Sequence, residues 1–368
     1  MTPNREWPAP GLERVLACPA CGDVRREQEL DGLRDWAFAA APGAWSLQRC
    51  QGCRVMYLDP RPDRESIGLA YSNYFTHADP SADSRPGTSL RQLKRWLVHA
   101  MENRVRNRLF ATKLRPAIAA PGFVAWLLRI SFDPIRTEAR GLEKLPVGSV
   151  LDVGCGSGQF LALARQMGWQ CYGVEIDPVA AQVARDTGAA IVSSRVETLD
   201  ASYDGRFDVV TLSHVIEHVH DPQETLRHCR RVLKPGGHLW IETPNIDSAG
   251  YRLFGRFWRG LESPRHLVIF NADALRMILR DMGFERIEVL EPKDVMKHMF
   301  TRSALMEAGR IADVDLRPLS KEERGMVQQK MEEGQALVHQ DARASEFINI
   351  VARRPLSAPT PPPVAGGG

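Results

Sequence analysis

The chain has 368 residues, a formal net charge of +3 and a hydrophobic fraction of 43%. That length suits one large domain with a smaller module, the apolar fraction suits an ordinary globular core, and the near balance of charge excludes a strongly basic nucleic-acid binder. No run of eighteen apolar residues occurs and the opening MTPNREWPAPGLERV lacks a signal-peptide core, so no spanning helix is expected and the expected compartment is the cytoplasm.

Residues 1–75 are irregular, rich in turn formers, and hold four of the seven cysteines as Cys18-Pro-Ala-Cys21 and Cys50-Gln-Gly-Cys53. Disulfides are not expected in a reducing compartment. Thiolates at i and i+3 on a tight turn can both reach one ion at about 2.3 Å, and four of them close a tetrahedral site with no open position. Structural Zn²⁺ is therefore expected; free thiols or a redox pair are the alternatives. The gap of 28 residues between the pairs calls for a hairpin or an insert. Cys155, Cys171 and Cys229 are scattered and read as core or loop thiols. Tyr71 and Tyr74 can form a lid over a ligand or simply pack.

Residues 76–145 read as a linker followed by a basic helical segment. Over 91–115 an apolar stripe of Leu93, Trp96, Leu97, Ala100, Met101, Val105 and Leu109 runs at helical spacing. Arg91, Lys94, Arg95, Arg104, Arg106, Arg108, Lys113 and Arg115 flank it, with Glu102 the only acid, and the apolar PGFVAWLLRISF follows at 121–132. Such a segment, over 91–132, can make peripheral contact with an anionic membrane at its inner face. It can also grip phosphates, or pack on the domain with a solvated basic face.

From residue 146 to 354 strands and helices alternate. VLDVG, QCYGVEI, AAIVSS, FDVVTLS and HLWIET read as buried strands with amphipathic helices between them, which predicts an α/β doubly wound, mostly parallel sheet of Rossmann type. ERIEVLEP and EFINIVARR add two strands around a polar helical stretch at 293–344, and 355–368 reads as a disordered tail. LDVGCGSGQF sets Gly154, Gly156 and Gly158 between the first strand and a helix, where the backbone can approach a ligand. A dinucleotide fingerprint would place its third glycine where Gln159 stands. Glu175 closes the second strand about 20 residues on, at the position where an acid accepts from ribose hydroxyls.

These blocks, LDVGCGSG, GVEIDP, FDVVTLSHVIEHV and LKPGGHLWIETPN, resemble class I S-adenosylmethionine-dependent methyltransferases over about 150–290. Nucleotide-dependent dehydrogenases are the alternative for the fold. The resemblance implies a cofactor site of Asp152, Gly154, Cys155, Gly156, Gly158, Glu175, Ile176, Val196, Glu197 and Ser213. The Cys pairs followed by RVMYLDPRP and YSNYF resemble the N-terminal module of bacterial methyltransferases acting on sugars and cell-surface glycans. That implies a sugar acceptor, as a nucleotide sugar, glycolipid or polysaccharide. A small-molecule or quinone-type O-methyltransferase is one alternative, and a catalytically inactive cofactor-binding scaffold another.

SHVIEHVHDP, at 213–222, supplies the candidate chemistry. It begins where the fourth strand ends, and Asp221-Pro222-Gln223-Glu224 reads as a capped helix start. His214 to His218 therefore lie in a loop or single turn, which excludes the long helix that H-x-x-E-H needs in a zinc protease. The candidate catalytic residues are His214, Glu217, His218 and His266. Either Glu217 or His218 is a general base, or the four bind a second divalent ion, or the run is a polar loop. The pattern is similar to the E-x-x-E-H metal site of small-RNA 2′-O-methyltransferases and of some ubiquinone-pathway enzymes, with His214 where those have glutamate. No RNA-binding module is visible, so neither RNA nor DNA is an expected partner. His220 is expected to point elsewhere, into solvent. The segment FGRFWRGLESPRH is expected to bring aromatic and basic groups to the acceptor.

Overall fold

The structure is a computed structural model and describes residues 6–71, 90–119, 133–291, 294–315 and 317–356. Tyr74, the apolar segment at 121–132 and the tail beyond 356 fall outside these residues, as does the side chain of Arg91.

The N-terminal part forms β1 (Leu12–Glu13), β2 (Arg26–Leu33), β3 (Trp45–Cys50), β4 (Met56–Leu58) and β5 (Arg61–Pro62). The hairpin of β2 and β3 fills the long gap between the cysteine pairs. A basic helix, α1 (Leu90–Phe110), follows. Next come β6 (Ser149–Val153), α2 (Gln159–Gln166), β7 (Gln170–Val174), α3 (Pro178–Asp186), β8 (Ala190–Ser193), β9 (Phe207–Ser213), α4 (Pro222–Val232) and β10 (Leu233–Pro244). The chain continues through α5 (Ala249–Phe254), β11 (Val268–Ile269), α6 (Ala272–Asp281) and β12 (Glu285–Leu290), then α7 (Met296–Glu307), α8 (Lys321–Gln340) and β13 (Phe347–Arg353).

Seven strands form one Rossmann-like sheet in the order β12-β13-β10-β9-β6-β7-β8. β10, β9, β6, β7 and β8 are parallel, while β13 runs antiparallel to both its neighbours. All five residues of β6 are buried, as a strand covered by helices on both faces requires. Helix starts follow local chemistry. Asp177 and Asp221 accept backbone N–H groups at the N-termini of α3 and α4, each followed by a proline, and Ser320 with Glu323 forms a capping box on α8.

A second sheet, in the order β11-β4-β3-β2, joins the N-terminal part to the chain that follows β10. Val268 pairs with Tyr57 and Ile269 with Met56, and Leu58 N–H donates to the Leu267 carbonyl. The same junction holds a fully buried ion pair. Arg265, with no exposed surface, donates from Nη1 to Asp35 at 2.9 Å, from Nε to Glu262 at 3.0 Å and from Nη1 to the Ala70 carbonyl at 2.9 Å. Asp35 is completed by the N–H groups of Phe38, Ala40 and Ala41. Such a pair is costly to break from one side, because the surviving charge stays buried.

Two consequences can be measured. Asp35→Ala leaves a buried guanidinium short of one carboxylate and should cost about 3–5 kcal/mol in urea unfolding; a loss below about 1 kcal/mol would show that solvent reaches Arg265. Glu346, buried against Trp258 Nε1 at 2.8 Å and Gly250 N–H at 2.7 Å, has its pKa pushed up by burial to about 7. The folded state thus holds that proton more tightly than the unfolded chain, whose carboxyl titrates near 4.5. Its contribution is fully present below that value and is lost as pH rises through about 7. The melting temperature of the native protein should fall over this window more steeply than that of Glu346→Gln.

Candidate functional site

Gly154, Gly156 and Gly158 have φ of +68°, +54° and +79°, so the turn between β6 and α2 depends on residues without a Cβ. A Cβ added at Gly154 would meet Val215 at 2.5 Å, whereas one at Gly156 would meet nothing within 4 Å. Open space therefore stands over Gly156, as a cradle for a ligand needs. Glu175, just past β7, accepts from Gly156 N–H at 2.7 Å and Asp177 N–H at 2.8 Å, which ties the loop to the second strand. Asp152 is buried and accepts from Thr211 Oγ1 at 2.7 Å and Arg140 Nη1 at 2.5 Å. The Arg140 guanidinium also lies 3.9 Å from the Phe160 ring and 5.2 Å from that of Trp240. Such a cation has two aromatic faces and a carboxylate to hold it.

The other expected cofactor residues differ in setting. Ile176 is exposed, Val196 and Cys155 are buried, and burial pushes the Cys155 thiol up so that it stays neutral. Glu197 is committed to Thr225 Oγ1 on α4. Ser213 lies 3.4 Å from Glu242 Oε1, at one end of a cleft of about 560 Å³. Trp240 and Arg140 line the same cleft, which runs on to Arg106, Asn103 and His99 of α1.

His214 begins a single turn with φ of +55°, and His218 N–H closes it on the Val215 carbonyl. Its imidazole stands between two carboxylates, with Nδ1 3.3 Å from Glu217 Oε1 and Nε2 3.5 Å from Glu242 Oε1. Burial opposes a charge on His214, but the hydrogen bonds to these carboxylates outweigh it and raise the pKa to about 9. Glu217 has no exposed surface and accepts from Thr243 Oγ1 at 2.9 Å. Burial pushes against its ionisation too, yet His214 and the neighbouring imidazoles hold its pKa down at about 2.

His218 places Nδ1 3.0 Å from the Arg265 carbonyl and 3.0 Å from Tyr71 Oη. A carbonyl only accepts, so Nδ1 carries a proton and Nε2 is the nitrogen left for another partner. His266 repeats this arrangement, with Nδ1 2.7 Å from the Gly260 carbonyl, and burial lowers its pKa to about 4. Its ring stands 4.7 Å from that of His218, and its Nε2 is 3.8 Å from Glu262. Glu217, His218 and His266 each offer one ligand atom, all within 4.8 Å of one another. His214 is not in that group.

Two expectations change at this point. His220 does not reach solvent: its side chain is only 9% exposed and Nε2 lies 3.0 Å from the Pro62 carbonyl. Trp258 is fully buried and Arg259 is consumed by Glu262 and Asp313, so FGRFWRG braces the fold internally. The functional residues that sequence reasoning missed are Arg140, Glu242, Glu262 and Arg265. The alternation of β10 could have placed Trp240 and Glu242 on one face; nothing in DPIRTEARG singles out Arg140.

The four cysteines of the pairs converge. Cys18 and Cys53 lie 3.6 Å apart and Cys21 and Cys50 3.5 Å, with all four sulfurs within 4.8 Å of one another. Metal–sulfur bonds of about 2.3 Å in a tetrahedron set the sulfurs about 3.8 Å apart, so the set fits zinc. Without an ion, the Cys53 contact lowers the Cys18 pKa to about 6, while the same contact raises that of Cys53 and burial raises that of Cys21 to about 11, so a metal must displace protons from the cluster to bind.

Residues 104–289 match the model of a family described as a methyltransferase domain. "Ubiquinone biosynthesis O-methyltransferase" of Xanthomonas axonopodis pv. citri (strain 306) is 37% identical over 131 residues, 33% of this chain and 54% of that protein. The protein of that name from Xanthomonas oryzae pv. oryzae (strain PXO99A) is 38% identical over 132 residues, covering 34% and 53%. The chain thus spans about half the length of the curated relatives it matches. Similar solved structures include a SAM-dependent methyltransferase from Thermotoga maritima, described as a possible histamine N-methyltransferase, at 18% identity, covering 70% of this chain and 99% of that one with a TM-score of 0.39. Another is a SAM-dependent methyltransferase from Archaeoglobus fulgidus, at 24% identity, covering 63% and 98% with a TM-score of 0.41.

Glu175→Ala should weaken S-adenosylmethionine binding by about tenfold to a hundredfold in calorimetry, and unchanged affinity would remove Glu175 from the cofactor site. Elemental analysis should find zinc with the native protein and none with Cys50→Ser, whose unfolding midpoint should also drop. Metal-free native protein would leave the cysteines as thiols.

Proposed function

The chain belongs to the methyltransferase domain family, and on that premise we propose that it carries the methyl group of S-adenosylmethionine to a hydroxyl oxygen of a sugar, in a nucleotide sugar, a glycolipid or a polysaccharide. In the proposed arrangement 1–75 is a zinc module, 76–145 a linker and basic helical segment, and 146–354 the methyltransferase domain. The observation that carries the reading is His218: Nδ1 is occupied by a backbone carbonyl, Nε2 has no hydrogen-bond partner among the described residues, and ionised Glu217 stands beside the ring. The polar lining of the cleft, from Glu242 and Arg140 to Asn103 and His99, supports a polyhydroxylated acceptor.

S-adenosylmethionine, when bound, supplies an electrophilic sulfonium methyl. Asp152, the glycine turn and Glu175 are the residues to hold it, and Glu242 at the cleft puts negative charge beside a cation. The His218 Nε2 lone pair takes the proton of the acceptor hydroxyl, and Glu217 stabilises the imidazolium that forms. His266, kept neutral by burial, offers its own Nε2 lone pair as an acceptor for the same hydroxyl. His214 holds Glu217 in its ionised form and pairs with Glu242 as well.

A second reading rests on the convergence of Glu217, His218 and His266, a two-histidine, one-carboxylate set that suits manganese, iron or zinc better than magnesium. Such an ion would lower the pKa of the hydroxyl without a protein base. For the acceptor, the names of the curated relatives favour a quinone-type molecule as the alternative.

The test uses methyl-labelled S-adenosylmethionine with host extract separated into lipid, polymer and soluble fractions. Label should enter a sugar-containing product. His218→Ala should lower that turnover by about 10²–10⁴ while cofactor affinity is kept. Label confined to a quinone-type product would replace the acceptor assignment, and full turnover by His218→Ala would end the role of His218. Loss of label with a chelator, restored by one divalent ion, would favour the ion over the base.

A further inference from the structure

The structure leaves one strongly charged surface that the methyl-transfer site does not use. Residues 90–119 carry eight lysines and arginines against a single acid, so with a chain total of +3 the remaining residues are acidic on balance. That acid, Glu102, is engaged by Arg106, which in turn grips Glu138 through two bonds of 2.7 and 2.9 Å. The cations that remain, Lys94, Arg95, Arg104, Arg108, Lys113 and Arg115, are all exposed. None of them has an acidic partner among the described residues.

Their placement on α1 is ordered. At about 100° per residue, Arg104, Arg108 and Lys94 fall within about 80° of one another. Leu93 and Leu109 flank that arc, 39% and 36% exposed. On the opposite arc Asn103 and Phe110 are buried, and so are Ala100 beside Arg104 and Met101 between Lys94 and Arg108. α1 is therefore not a helix solvated all round. One face is fixed to the domain, where it lines the cleft through His99, Asn103 and Arg106. The other presents cations with two half-exposed leucines at their edges.

We propose that this outer face of α1 docks on an anionic lipid bilayer. The partner is chosen by charge complementarity: an array of exposed cations without acidic partners among the described residues orients toward a negative plane. Two half-exposed leucines are too little apolar area to bury the helix in the acyl region, so the contact is held at headgroup depth by charge and screened by salt. No described helix is long and apolar enough to cross a membrane, which makes the contact peripheral. It rests on the methyl-transfer reading only for its purpose: α1 would set the cleft it roofs at the headgroups, within reach of an acceptor carried on a lipid.

The test is sedimentation of the full chain with vesicles of phosphatidylcholine alone, or of three parts phosphatidylcholine to one part phosphatidylglycerol. At about 0.1 M salt at least tenfold more protein should sediment with the anionic vesicles, and the excess should vanish at about 1 M. Arg104→Glu/Arg108→Glu should lose that excess while binding S-adenosylmethionine as the native protein does, which shows that it is folded. Equal sedimentation with both vesicles, sedimentation with neither, or native-like binding by the double variant would each overturn docking. Binding of an RNA oligonucleotide in place of vesicles would assign the face to nucleic acid instead. The measurement needs no turnover, so it can fail while methyl transfer stands, and the reverse.

Discussion

A guanidinium sealed from solvent joins the two ends of this molecule. Arg265 lies beyond β10 of the catalytic sheet, while Asp35 belongs to the N-terminal hairpin region, 230 positions earlier. Bringing both charges out of water is expensive, and only close, multiply bonded geometry offsets that cost. The geometry is of that kind: two carboxylates and a backbone carbonyl surround one guanidinium. Its main effect is on placement. The carbonyl of this same residue accepts the Nδ1 proton of His218, and the chain on either side supplies Glu262 and His266. Where Arg265 is held, the tautomer and position of His218 are held too.

The site around it is an exercise in charge pairing at close range. Glu217 and Glu262 are both buried, and both stay ionised because cations adjoin them: His214 for the first, Arg259 and Arg265 for the second. His214 is charged for the complementary reason. His266 is the exception, neutral because burial prevails over a carboxylate nearly 4 Å away. Two imidazoles of opposite protonation state thus share one wall, an assignment that depends on contacts rather than on residue type.

Much of the fold was legible because its signals are local. β6 to β10 announce themselves as short apolar runs, the glycine turn by its spacing, and the start of α4 by Asp-Pro at 221–222. The cysteine pairs were legible as a cluster because i, i+3 thiols have few other uses. What remained hidden is made by long-range contact. β11 is two residues long and exists only because β4 pairs with it. Arg140 sits in an irregular segment, and its role appears only when Asp152, Phe160 and Trp240 surround it. The apolar stripe of α1 was legible, but not which part of its circumference the domain would bury. His220 was expected in solvent and Trp258 near the acceptor, and long-range packing buries both side chains instead.

β13 carries a consequence for how the protein comes into being. It inserts between β12 and β10, antiparallel to both, and among the described residues it is the last strand of the sheet. Until residues 347–353 have left the ribosome, β10 presents an unpaired flank and β12 has no neighbour at all. The glycine turn and the histidine turn can therefore form on a nascent chain whose sheet is still open at a hydrophobic seam, the state in which strand edges recruit other chains. Pairing of this strand is then what closes the seam between β10 and β12. The Asn245 amide, which donates to the carbonyls of Arg343 and Ser345, is the latch that brings it home.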